Sequence, residues 1–136
     1  MGISMRLPAI ITNCRGTAVI EMAFALPTVL LFFLGVVEFG RMLWMQTTLQ
    51  QAVEGASRCA VVNTSTCDNA ADTQSYAVSQ VTGFTIANSA FTANLTTTCG
   101  SGISGSQVSV SLPFQFVVPK LFPWNVTLTA QSCHPT

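Results

Sequence analysis

An α+β fold is predicted by three features of the sequence: an unbroken apolar run near the N-terminus, a helical periodicity directly after it, and apolar–polar alternation in the last third. The expected architecture is a long N-terminal transmembrane helix packed on a small antiparallel sheet, with a short second helix between them in sequence. The chain has 136 residues, enough for one small domain but not for two ordinary ones.

The apolar run covers residues 17–37, TAVIEMAFALPTVLLFFLGVV. That is roughly the 20 residues a helix needs to cross a bilayer core at about 1.5 Å per residue. Glu21 is its only charged residue. Arg6 and Arg15 precede the run without a neighbouring acid, whereas Arg41 beyond it is offset by Glu38. The positive-inside bias therefore predicts a cytoplasmic N-terminus and a periplasmic C-terminal part. A cleaved secretory signal is disfavoured, because the run exceeds an ordinary h-region and no small-x-small pattern follows it. Pro27 removes one backbone hydrogen bond inside the run, which predicts a kink or local unwinding near Ala23.

Beyond Gly40 the apolar residues become periodic. Met42, Met45, Leu49, Val53, Ala56 and Ala60 follow three- and four-residue steps, and Gln46, Gln50, Gln51 and Glu54 are expected on the exposed, solvated half. The helix is expected to fade over residues 63–66, Asn-Thr-Ser-Thr, which favour turns. A second helix is predicted over 69–82, with Asp68 or Asn69 as N-cap, Asp72 in its first turn and Gly83 as its stop. Three half-buried strands follow, marked by Phe91, Ala93 and Leu95, then Val108, Val110 and Leu112, then Val126, Leu128 and Ala130. The run GSGISGS over 100–106 reads as a flexible hairpin connection.

Four of the five cysteines, Cys59, Cys67, Cys99 and Cys133, follow the apolar run, and Cys14 precedes it. An even set in a small, charge-poor domain predicts a disulfide framework in an oxidising compartment. Metal binding is the weaker reading, since no C-x-x-C pair occurs and the single histidine, His134, adjoins Cys133. Sequence permits three pairings. Cys59 with Cys67 and Cys99 with Cys133 are favoured, because each closes within one structural layer.

Charged residues make up 7% of the chain and the net charge is zero, so nucleic-acid steering is not expected. An enzyme is not expected either, because a nucleophile needs an adjacent base and His134 is the only histidine. No catalytic residue, metal site or cofactor is predicted.

The most informative constellation is Arg15-Gly16-Thr17-Ala18-Val19-Ile20-Glu21. A basic stretch ends in a glycine, whose missing side chain lets a protease approach the backbone closely. Five residues later a carboxylate enters an apolar helix, where an unpaired charge is expensive and invites a partner. Gly16 followed by Glu21 resembles the processing motif of type IVb prepilins of the tight-adherence class. Leu26-Pro27, Gly35, Glu38-Phe39-Gly40-Arg41 and Gly55-Ala56-Ser57-Arg58 resemble the TadE-like pseudopilins, densely from Arg15 to Arg58 and more loosely beyond.

The resemblance implies a pilin-like fold and a minor pilin or pseudopilin that supports assembly of a Flp-type tight-adherence pilus. It implies cleavage between Gly16 and Thr17 by a prepilin peptidase, and pairing of Glu21 with the freed N-terminus of a neighbouring subunit. The expected organisation is a prepilin-type leader at 1–16, a transmembrane helix at 17–40 and a periplasmic pilin-like domain at 41–136. Expected partners are the prepilin peptidase, other pilins or pseudopilins, the inner-membrane pilus assembly complex and membrane lipid, with no nucleic acid. The alternative is a membrane-anchored periplasmic binding module that never enters a pilus.

Overall fold

The computed structural model describes residues 15–100, 102–120 and 123–136. Cys14, Arg6 and most of the expected leader lie outside the described residues. The fold is α+β: helix α1 (Arg15–Val62), helix α2 (Ala70–Gln80), a 3-10 turn (Asn88–Ala90) and strands β1 (Phe91–Cys99), β2 (Ile103–Phe114) and β3 (Val126–Pro135). The chain divides into two compact units, Met1–Val37 and Glu38–Thr136.

In the first unit, α1 carries its apolar side chains outward on every face. Val19, Phe24, Phe32 and Val37 are all more exposed than not. A helix apolar all round has no soluble side to turn outward, which is the pattern of a membrane span rather than of an amphipathic surface helix. Helix α1 continues through Pro27, so the local unwinding expected there is not found. Beside it, Thr28 Oγ1 donates to the Phe24 carbonyl at 3.2 Å.

In the second unit the strands form one antiparallel sheet in the order β1-β2-β3. Phe91 faces Val110, which faces Ala130 on the far strand. Alternation puts these side chains on the inner face, and they pack with Leu49, Ala52, Val53 and Ala56 of α1 and Ala77 of α2. The helical stripe is set by the three- and four-residue steps seen in the sequence. Ala52 and Ala56 are small enough for the helix backbone to approach its neighbours closely, and Phe91 supplies the largest fully buried side chain.

Several expectations are corrected. The connection after β1 is shorter than 100–106: the turn closes with the Gly102 N–H donating to the Cys99 carbonyl, and Ile103 to Ser106 already belong to β2. Gly102 has φ +76°, the left-handed conformation a tight turn needs and glycine adopts freely. Gln46 is half-buried rather than solvated, and its amide donates to the Thr129 carbonyl at 2.8 Å. Strand β1 changes register between Asn94 and Thr97, which leaves Leu95 only half-buried.

Asn69 caps α2 by accepting from the Asp72 N–H at 2.9 Å, and its own amide donates to the Asp72 carboxylate. The helix ends at Gln80, with Val81 as its C-cap, whose N–H donates to the Val78 carbonyl, before the expected stop at Gly83. Gly83 serves another purpose. At φ +88° it lies against the Trp44 ring, where any added Cβ would collide with the indole.

Two disulfides complete the unit. Cys59 joins Cys67 across 8 positions, with Cα atoms 5.9 Å apart, at the bend leaving α1. Cys99 joins Cys133 across 34 positions, with Cα atoms 5.8 Å apart, linking the two outer strands over β2. Gly105 makes that bridge possible. A side chain there would run into Cys99 Sγ and the His134 carbonyl.

Candidate processing and assembly site

Helix α1 begins at Arg15, so the Gly16–Thr17 peptide lies in its first turn. The five residues from Gly16 to Glu21 span about 7.5 Å along a helix. Thr17 and Glu21 are four apart and therefore share a face. Glu21 is exposed. Among the described residues the ion pair is Arg41 with Glu38, so Glu21 has no charged partner there. Its neighbours on the helix surface, Val19, Ile20, Met22 and Phe24, are exposed apolar side chains. A lone carboxylate in such surroundings is stabilised by a cation supplied from outside the helix or by the interfacial region of a bilayer.

A second cluster stands where the apolar run ends, and sequence reading assigned it no function. Glu38 is only 6% exposed. Its Oε2 accepts from Arg41 Nη2 at 3.0 Å and from Nε at 3.3 Å, while its Oε1 accepts from the Val117 N–H at 2.7 Å. Arg41 also donates to the Gln115 carbonyl and lies 4.7 Å above the centre of the Phe114 ring. Phe114 in turn meets Phe116 edge-on at 5.0 Å. One carboxylate and one guanidinium thus fasten the start of the second unit's helix to the chain leaving β2. Both oxygens of Glu38 are used, which is what permits a buried carboxylate. The i, i+3 spacing of Glu38 and Arg41 was visible in sequence, but nothing in it pointed to backbone partners some 75 positions away.

Cys59, Cys67, Cys99 and Cys133 lie in the second unit as two bridges, away from Gly16, Thr17 and Glu21 in sequence. Among the described residues no three His, Cys, Asp or Glu side chains gather as metal ligands. A helix long and apolar enough to cross a membrane is present, beginning at Thr17.

Residues 16–58 match the family model for TadE-like protein. The match starts at the glycine of the proposed cleavage site and ends at Arg58, so it takes in Glu21, the whole apolar run, the Glu38–Arg41 pair and the core-facing stripe of α1. Over this stretch the chain is similar to TadE-like proteins. No curated protein and no solved structure matches the chain.

Proposed function

We propose that this protein is a minor pilin or pseudopilin of a tight-adherence pilus, anchored by residues 17–37 and released from its leader by a prepilin peptidase. The observation that carries the reading is the coincidence, within one family match, of Gly16, Glu21 and an all-round apolar helix. Cleavage after Gly16 would leave a new α-amino group on Thr17. Glu21 of one subunit would then pair with that group on a neighbour, replacing an isolated carboxylate in an apolar setting by a compensated pair. The pair would set axial register more than net stability, because burying two charges also costs several kcal/mol per ion. The second unit would lie in the periplasm, where its two disulfides can form. Its role is structural rather than enzymatic.

The test is the N-terminal sequence and intact mass of the membrane-extracted protein. Cells with a prepilin peptidase should yield a chain beginning at Thr17, and Gly16→Leu should leave the precursor uncut. Glu21→Gln should preserve insertion and cleavage while impairing assembly. A wild-type chain that stays uncut beside an active peptidase overturns the reading in favour of a membrane-anchored binding module.

A further inference from the structure

The outer face of the sheet, turned away from the core, is polar without being charged. Strands β1, β2 and β3 contain no Asp, Glu, Lys or Arg. His134 pairs with Ser106 and alternates in step with Leu128 and Ala130, which puts it on the core side. On the outer face Thr92, Ser109 and Gln131 stand in one cross-strand row, and Ser111 pairs with Thr129 in the next.

Side-chain size makes this face concave. The central strand supplies two short serines, Ser109 and Ser111, whereas its neighbours supply the branched Thr92 and Thr129 and the long Gln131. Along β2 itself, Gln107 and Pro113 stand beyond the serines on the same face. The result is an open groove of about 570 Å³, lined by these five residues of the two rows and by Gln50 of α1. Its other lining residues, Ala90, Val110 and Ala130, include no aromatic ring. That volume lies within the roughly 300–1,000 Å³ of small-ligand clefts.

The polar groups of the groove are unengaged. Among the described residues, Gln50, Thr92, Ser109, Ser111 and Gln131 make no side-chain hydrogen bond, and Thr129 accepts from Gln46 with its backbone carbonyl, leaving its hydroxyl open. Each of these hydroxyls and amides both donates and accepts. A ligand rich in hydroxyls offers the same two capacities. A phosphate or carboxylate would meet no cation here, and a protein partner would find none of the aromatic or arginine anchors that carry interface affinity.

We propose that this groove binds a neutral oligosaccharide, laid across the three strands and exchanging hydrogen bonds with Ser109, Ser111, Thr129 and the amides of Gln50 and Gln131. Neighbouring strands lie about 4.8 Å apart, so the sheet alone offers a path of about 10 Å, room for about two sugar rings. All of the lining belongs to the second unit, so binding needs neither cleavage at Gly16 nor assembly. Without a ring to stack on, the affinity is weak, with a dissociation constant on the order of 1 mM.

The experiment uses the full chain, isotopically labelled for NMR, in a detergent without a sugar headgroup. Maltotriose, cellotriose and triacetylchitotriose are the probes, each at about 10 mM, well above the expected constant, with inorganic phosphate as the anionic comparison. We expect at least one trisaccharide to shift the amide signals of Ser109, Ser111, Thr129 and Gln131 and the side-chain amide of Gln50, and phosphate to shift none of them. Ser111→Ile fills the floor of the groove with a residue that strands favour and should abolish the response. Gln131→Ala, at the exposed rim, should weaken binding by up to about tenfold, as the loss of one or two neutral hydrogen bonds does, and it keeps the test decisive should the first variant not fold. Silence from all three trisaccharides, or a response that survives both substitutions unchanged, overturns the proposal. An equal response to phosphate overturns it as well. So do shifts at these residues that follow protein concentration alone, which would assign the face to a second copy of the chain.

Discussion

One helix carries two halves that obey different rules. Over residues 17–37 of α1 the large side chains are exposed on all faces, whereas over 38–62 a single stripe, Leu49, Ala52, Val53 and Ala56, is completely buried. Backbone geometry is helical throughout; only the distribution of apolar residues changes. The comparison teaches that periodicity tells which solvent a helix expects. A stripe implies a protein partner on one side, and a uniform sleeve implies a surrounding apolar medium.

The sharpest way to break the comparison is to remove a ring from each unit. Phe91→Ala deletes the largest fully buried side chain and should destabilise the second unit by about 3–5 kcal/mol, the usual cost of a phenylalanine cavity. Phe32→Ala, on the exposed sleeve, should leave the denaturation midpoint of the second unit unchanged. Denaturant unfolding of both variants in detergent checks the pair, and a comparable loss in Phe32→Ala would mean that the two halves are not independent.

The disulfides come next in size. By the chain-entropy model, a loop of 34 positions is worth about 4 kcal/mol and one of 8 positions about 2.5 kcal/mol. Replacing Cys99 and Cys133 by Ser should therefore lower the denaturation midpoint more than replacing Cys59 and Cys67. Equal losses would show that strain or residual structure in the unfolded chain dominates. Non-reducing peptide mapping establishes the pairing on which the comparison depends.

The smallest effect belongs to the boundary between the halves. Glu38→Gln keeps an acceptor for the Val117 N–H but removes the charge opposite Arg41, whose side chain is 37% exposed. The expected loss is about 1 kcal/mol or less, as for partly solvated pairs. Glu38→Ala also strands the Val117 N–H and should cost more, up to about 3 kcal/mol. Thermal melts of the two variants, measured together, separate the ion pair from the backbone hydrogen bond.

Much of this was legible in the amino-acid order, and the exceptions have physical causes. The sleeve, the stripe and the alternating strands were readable because apolar side chains outnumber ambiguous ones there. Residues 103–106 were not, because Gly105 and Ser106 are buried, small and paired in β2, so burial leaves no hydrophobic mark on them. Ser57 is similar: it is fully buried, and its hydroxyl lies 3.0 Å from that of Ser132, a contact no local pattern announces. Gln46 was misread as solvated because its partner, the Thr129 carbonyl, is a backbone group 83 positions away. Of the candidate site, Gly16 and Glu21 stood out as a glycine and a charge in unusual company. Glu38 did not, because an acid near an arginine at the end of an apolar run reads as ordinary solvation until the chain after β2 folds back onto it.

The bridge between the outer strands also has a mechanical consequence. A load entering through α1 and leaving through the residues after Cys133 would pass across the Cys99–Cys133 bond, bypassing the 34 positions between them. At roughly 3.4 Å per extended residue, about 115 Å of chain is thereby withheld from extension. Stretched singly, the oxidised wild type should show a contour length shorter than that of a variant with Cys99 and Cys133 both replaced by Ser by about that amount. Equal lengths would show that the bridge lies off the path of force. In a subunit held at one end by a membrane or a fibre, such a bond makes the sheet a fixed link rather than a spring.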